Sequence, residues 1–197
     1  GTRGNGDQYT HLRRSKFSMQ NAVRDAGVRA VTQALCRSEQ EVRDFWVSLV
    51  KANGGGPAKC VVKPNESAGS DGVFLCETEE QALTAFNNIH GRFNGLGQLN
   101  DGALCQEYLV GTEYVVDGVS RDGVYKVTAI WEYDKRFANG ANFVYFGMRL
   151  RPSVGEREKA LVAYSAEVLK ALHIVQGPSH MEVILTPTGP CLVEVGS

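Results

Sequence analysis

The sequence predicts an α+β fold in two lobes, and three observations carry that reading. Helical apolar periodicity alternates with short strand-like runs over the first half of the chain. From Ala103 onward the pattern changes to consecutive strands joined by hairpin signals. One long helix and a last hairpin then close the chain. Runs of strands kept apart from helices mark an α+β fold. The expected N-terminal lobe covers 1–100 and the C-terminal lobe 101–197, each an antiparallel-rich sheet with packed helices.

Each element has a local reason. Residues 9–26 carry Leu12, Met19 and Val23 at helical spacing, with Gly27 as the stop. A short strand is expected over 30–35. Ser38 followed by Glu41 is a capping-box signature, and Val42, Phe45, Trp46, Leu49 and Val50 form the apolar face of the next helix. The run Asn53-Gly-Gly-Gly-Pro57 ends it. Two apolar runs, Val61–Val62 and Val73–Leu75, flank a polar loop and read as strand, loop, strand. Thr78 starts a helix bearing Ala82, Leu83, Phe86 and Ile89, and 91–102 is a Gly/Asn-rich loop. Strands are expected over 103–106, 113–120, 124–133 and 142–150, with Arg121-Asp-Gly123 as a hairpin turn. A helix follows Arg151-Pro152, with Leu161, Val168, Leu169 and Leu172 on one face. Strands over 179–185 and 190–195 flank the turn Thr186-Pro-Thr-Gly189.

Bulk properties exclude several function classes. A chain of 197 residues can bury roughly 70% of its unfolded surface. A net charge of −1 argues against a polyanion partner, so no nucleic acid is expected. No apolar stretch approaches the ~20 residues of a membrane span, and no secretory leader is visible. The five cysteines (Cys36, Cys60, Cys76, Cys105, Cys191) are odd in number and form no CxxC, which points to free thiols in a reducing, cytoplasmic compartment. The chain opens Gly1-Thr-Arg-Gly-Asn-Gly6 and stops just after an apolar strand, so a piece of a longer protein is expected. A homo-oligomer is compatible with all of this.

The most informative stretch runs from Lys59 to Leu75. Lys63 stands at the end of an apolar run, before a loop of small polar residues. Gly69 and Gly72 allow close backbone approach to a ligand, and Ser67 and Ser70 add hydroxyl donors. Successive N–H groups in such a loop can form an anion nest, so the stretch meets the needs of a polyphosphate site as well as those of an ordinary hairpin loop.

Four further features accompany it. A backbone edge over Gln106, Glu107, Tyr108 and Leu109 can read a purine, with Gln106 or Glu107 taking the exocyclic amine and Glu113 the ribose hydroxyls; a plain surface linker is the alternative. Lys16 sits on a helix, where it can point charge at phosphates or simply be solvated. Lys135 and Arg136 end a long strand, as a solvated end or a grip on a terminal phosphate. Glu182 and Glu194 lie in the two apolar strands of the last hairpin, where alternation can turn both to one face. Paired carboxylates in apolar strands favour a hard cation such as Mg²⁺ carrying phosphate.

This order of motifs resembles the ATP-grasp superfamily of carboxylate–amine ligases over nearly the whole chain, from Arg13-Arg-Ser-Lys-Phe-Ser-Met19 to Glu194-Val-Gly196. The resemblance implies two lobes with ATP held between them. It implies that Lys16 and Lys63 contact phosphates and that Ser67 to Gly72 close over them. Gln106 to Leu109 would read adenine and Glu113 ribose, with Lys135 near the terminal phosphate. Glu182 and Glu194 would hold Mg²⁺, with Mn²⁺ able to substitute. The segments Gly177-Pro-Ser-His-Met-Glu182 and Asn139-Gly-Ala-Asn-Phe-Val-Tyr145 look most like the L-amino-acid ligase branch. The implied reaction activates a small-molecule carboxylate as an acyl phosphate and joins it to an amine, with Lys16, Lys63 and Lys135 stabilising charge.

The sequence departs from the family pattern in three places. Gly196 stands where the family has the Asn of Glu-x-Asn, Gln106 stands where Glu is usual, and the substrate-binding arginine would lie beyond Ser197. Two alternatives remain open at this stage. One is a non-catalytic nucleotide-binding module; the other is an ATP-grasp enzyme of the biotin-carboxylase or carbamoyl-phosphate-synthetase type.

Overall fold

The structure is a computed structural model that describes residues 3–67, 71–138 and 141–197. Gly69, Ser70, Asn139 and Gly140 lie outside the described residues. The chain divides into two compact units, one of residues 32–108 and one of residues up to Val31 together with 109–197.

The unit of 32–108 holds strands β1 (Gln33–Cys36), β2 (Cys60–Lys63), β3 (Phe74–Cys76) and β4 (Ala103–Glu107), and helices α3 (Glu39–Ala52) and α4 (Glu79–Ile89). Its sheet runs β1-β4-β2-β3, antiparallel throughout. The Ser38 capping box is fully formed, and Thr78 caps α4 through the Gln81 N–H. Val42, Phe45, Trp46 and Leu49 of α3 and Ala82, Phe86 and Ile89 of α4 are buried against one sheet face with Cys36, Cys60, Val62, Cys76 and Cys105. The cysteines act here as small apolar side chains.

The other unit begins with α1 (Thr10–Arg14) and α2 (Lys16–Asp25). The single helix expected over 9–26 is broken at Ser15, whose extended backbone lets its side chain accept from Ser18 N and cap α2. Strands β5 (Thr112–Arg121), β6 (Val124–Ala138), β7 (Ala141–Arg151), β8 (Gly177–Thr186) and β9 (Gly189–Gly196) form a sheet of order β7-β6-β5-β8-β9, and α5 (Glu156–Ala171) joins it. Asp122 and Gly123 both have positive φ, the requirement of a two-residue hairpin turn closed by the Arg121–Val124 pair. Met19 and Val23 of α2 and Leu161, Val168 and Leu169 of α5 share one core with Tyr114, Val116, Met181, Val183, Leu192 and Val195 of the sheet.

The observed division therefore differs from the one expected near residue 100. β4 pairs with β1 and β2, which keeps residues up to Tyr108 in the first sheet. The apolar stripe of α2 is buried in the core of the second sheet, which takes the N-terminal helices with it. Among the described residues no helix is long and apolar enough to cross a membrane.

Candidate functional site

Two of the register shifts in the five-stranded sheet, in the β8–β9 and β5–β6 ladders, bear on the site. Leu192 and Val195 are three residues apart, yet both are buried in the core. Strict alternation forbids that. The register shift between β8 and β9 resolves it: Glu182 pairs with Glu194 and Val183 with Leu192, leaving Val193 as the extra residue. Directly opposed residues share a face, so Glu182 and Glu194 lie side by side on the face away from the core. The second bulge falls at Asp117/Gly118 in the β5–β6 ladder. A Cβ on Gly118 would run into the Tyr125 ring, so the chain needs glycine there.

Residues Glu113, Val115 and Asp117 of β5 pair with Ile184, Glu182 and His180 of β8, which puts Glu113, Asp117, His180, Glu182 and Glu194 on one face. Expected site residues are brought together there in two ion pairs. Lys16 Nζ lies 2.9 Å from Glu194 Oε2, and its side chain is 11% exposed. Lys16 is thus a buried lysine on a carboxylate rather than a solvated surface one. Lys135 Nζ lies 2.5 Å from Glu113 Oε1, joining the expected terminal-phosphate base to the expected ribose acid. Glu182 has no hydrogen bond or ion pair among the described residues. Desolvation raises its pKa above the usual carboxylate value, Glu113 and Glu194 raise it further, and Lys135 and His180 partly offset the effect.

The face fits the group that the expectation names. Among the described residues no cluster of three or more His, Cys, Asp or Glu is placed to hold a metal on its own. Mg²⁺ does not need one, because it usually binds through one or two carboxylates plus water and phosphate oxygens. Glu182 and Glu194 supply two adjacent carboxylates, one carrying charge that its surroundings penalise. A divalent cation would relieve that penalty.

In the unit of 32–108, Lys63 and Gln106 share the sheet face opposite the cysteines, since Val61 pairs with Gln106 and Lys63 with Leu104. Lys63 is buried at 6% exposure. Gln106 Nε2 donates to Gln33 Oε1 at 3.0 Å, which leaves the Gln106 carbonyl oxygen as its acceptor. The open backbone edge expected over 106–109 is partly closed. Glu107 N bonds Thr32 O, Tyr108 N bonds Lys59 O, and the Glu107 carboxylate accepts from Thr32 N at 2.8 Å. Glu107 therefore ties down the entry to β1, and its side chain is not an open reader of a base. Leu109 falls in the other unit. Ser67 Oγ donates to Asp71 O, and a Cβ on Gly72, whose φ is 66°, would press on the Pro64 ring at 3.1 Å.

Sequence reading missed one constellation. His180 Nδ1 lies 2.7 Å from Asp117 Oδ1, and Trp131 Nε1 donates to Asp117 Oδ2 at 2.8 Å. The signal was spacing: His180, inside the segment Gly177-Pro-Ser-His-Met-Glu182, stands two residues before Glu182, and Asp117 four after Glu113, on the alternation that selects this face.

Residues 57–197 match the family model described as ATP-grasp domain. Dapdiamide A synthase of Enterobacter agglomerans is 35% identical over 196 residues, covering 100% of this chain and 45% of that protein. The L-amino acid ligase from Bacillus licheniformis superposes with a TM-score of 0.71 at 19% identity, covering 95% of this chain and 41% of that one. Phosphoribosylamine–glycine ligase from Thermotoga maritima does so with a TM-score of 0.75 at 18% identity, over 98% and 49%. The chain thus spans less than half the length of each of these proteins.

Proposed function

The chain belongs to the ATP-grasp family, and from that premise we propose that its protein uses ATP and Mg²⁺ to activate a carboxylate and join it to an amine. The observation that carries this reading is the single sheet face holding Lys16–Glu194, Lys135–Glu113 and Glu182. Such a face offers both metal-binding carboxylates and compensating cations, the two needs of phosphoryl transfer. The relatives point to the same class of product. One is named as a dapdiamide synthase and another as a ligase of L-amino acids, which favours an amino-acid-type amide.

Glu182 and Glu194 would hold Mg²⁺, which when bound neutralises phosphate charge and polarises the transferred group. The chain's own residues do the rest. Lys16 and Lys135 each carry a charge already held in place by a carboxylate, so little reorganisation is needed when phosphate arrives. Lys63 adds a buried cation at the end of β2, and the Gln106 carbonyl oxygen accepts from an exocyclic amine. The loop expected from Ser67 to Gly72, of which Gly69 and Ser70 lie outside the described residues, would close over the phosphates and keep water from the acyl phosphate.

Incubating the full-length protein with Mg-ATP and pairs of L-amino acids tests this. ADP and an amide in equal amounts, found by mass spectrometry, support it. ADP formed with bicarbonate and with no amino acid overturns it in favour of the carboxylase-type reading. A thermal shift with ATP and no ADP with any acceptor identifies a nucleotide-binding module instead.

A further inference from the structure

The Asp117–His180–Trp131 constellation is costly for a surface feature that does nothing. Exposed polar pairs add little stability, and His180 is 55% exposed at its side chain. Yet Asp117 is fixed at both oxygens, by Trp131 Nε1 and by His180 Nδ1, at a bulge that itself demands Gly118. Bulges next to sites re-aim side chains. In the neutral tautomer that gives its Nδ1–H to Asp117, the imidazole presents the Nε2 lone pair in a fixed direction. Nε2 has no partner among the described residues.

Space and charge define what meets it. His180 is the register partner of Gly196, and a Cβ built on Gly196 meets nothing within 4 Å. The imidazole therefore stands beside open room, one pleat repeat from Glu182, or about 7 Å along the strand. Glu113, Asp117, Glu182 and Glu194 make this face rich in carboxylate, with Lys135 paired to Glu113 and Lys16 to Glu194. A second carboxylate would be repelled there, whereas an amine would be drawn in. Trp131 pairs with Leu150 on the neighbouring strand, and Leu150 is 63% exposed, so apolar surface flanks the same spot.

We infer that His180, positioned by Asp117 and Trp131, is the binding residue for the amine substrate, an amino compound with an apolar side chain. The inference rests on the ligase reading above and adds the amine's seat to it. His180 Nε2 accepts an N–H of the amine and holds the nitrogen about one pleat repeat from the carboxylates proposed for the metal.

Two measurements test it. The first needs no catalysis: the His180 Nε2 resonance is followed by NMR while L-leucinamide, or N-acetyl-L-leucinamide with its amine blocked, is added. A saturable shift with the free amine alone supports the inference; no shift, or equal shifts with both, overturns it. The second uses the full-length enzyme. His180→Ala should raise the KM for the amine about 10- to 100-fold, the worth of one well-placed hydrogen bond to a charged or polar partner, while the KM for ATP stays within about twofold. Asp117→Asn should move the same constant less, and His180→Gln should recover part of the loss. An unchanged amine KM in His180→Ala, or a rise confined to ATP, overturns the inference while the ligase reading stands. A wild-type enzyme that makes no amide removes the ligase reading, and the NMR titration still decides whether the seat binds amines.

Discussion

Lys16 Nζ sits 2.9 Å from Glu194 Oε2, so the first residue of α2 neutralises the last acidic residue of β9. The pair is part-buried, so removing one partner leaves the other charge uncompensated. Lys16→Met should destabilise the nucleotide-free chain by about 1–3 kcal/mol, because Glu194 keeps its charge and loses its partner. Adding Glu194→Gln should recover part of that loss. Urea unfolding of the two single variants and the double variant gives the coupling energy. Simple additivity would mean that the contact contributes nothing.

Glu182 supplies the pH dependence. Its folded pKa lies above the unfolded value, so in the window between them the folded chain holds a proton that the unfolded chain has lost. Stability is then greatest below the ordinary carboxylate pKa and falls as pH rises through the raised one. Melting in EDTA from pH 4 to pH 7 should show this decline in the wild type and a smaller one in Glu182→Gln. The same variant should weaken Mg²⁺-dependent nucleotide binding. An unchanged ATP affinity across a Mg²⁺ titration would remove Glu182 from the proposed ligands.

Local chemistry was legible in the sequence, and long-range register was not. The Ser38–Glu41 box, the Thr78 cap and the Asp122-Gly123 turn need only near neighbours, and each formed as its residues dictate. Lys16 read as a surface lysine because its burial depends on β9, which arrives at the other end of the chain. Glu182 and Glu194 were readable as a pair, but their alignment depends on the bulge at Val193, and Val193 reads as an ordinary strand residue. The Asp117–His180 contact joins residues from β5 and β8, so only the sheet order reveals it. The lobe boundary near residue 100 followed the change from helices to strands, whereas the division follows the pairing of β4.

Lys63 carries the strongest prediction about rate. It is buried at the end of β2, and the proposed role gives it charge to stabilise on the phosphates. Lys63→Ala in the full-length protein should lower kcat on the order of 10²-fold or more, as loss of a preorganised charge partner generally does. Circular dichroism checks that the variant folds, and steady-state ADP release reads the rate. Turnover near that of the wild type would refute the assigned role.

Tyr164 tests how the fold supports the strand that carries Glu194. Its hydroxyl donates to Arg29 O and accepts from Leu192 N, both at 2.7 Å. Burial pushes its pKa well above the usual phenol value, so the group stays neutral and serves as donor and acceptor at once. Leu192 immediately precedes the Val193 bulge, which turns Glu194 toward Glu182. Tyr164→Phe keeps the ring and removes both hydrogen bonds, leaving a backbone N–H and a C=O without this partner. The expected cost is about 1–3 kcal/mol, read as a Tm several degrees lower. Because the loss falls beside the bulge, the extra stabilisation that Mg-ATP gives should shrink as well. A lower Tm with the Mg-ATP increment intact would confine Tyr164 to the core and detach it from the alignment of Glu194.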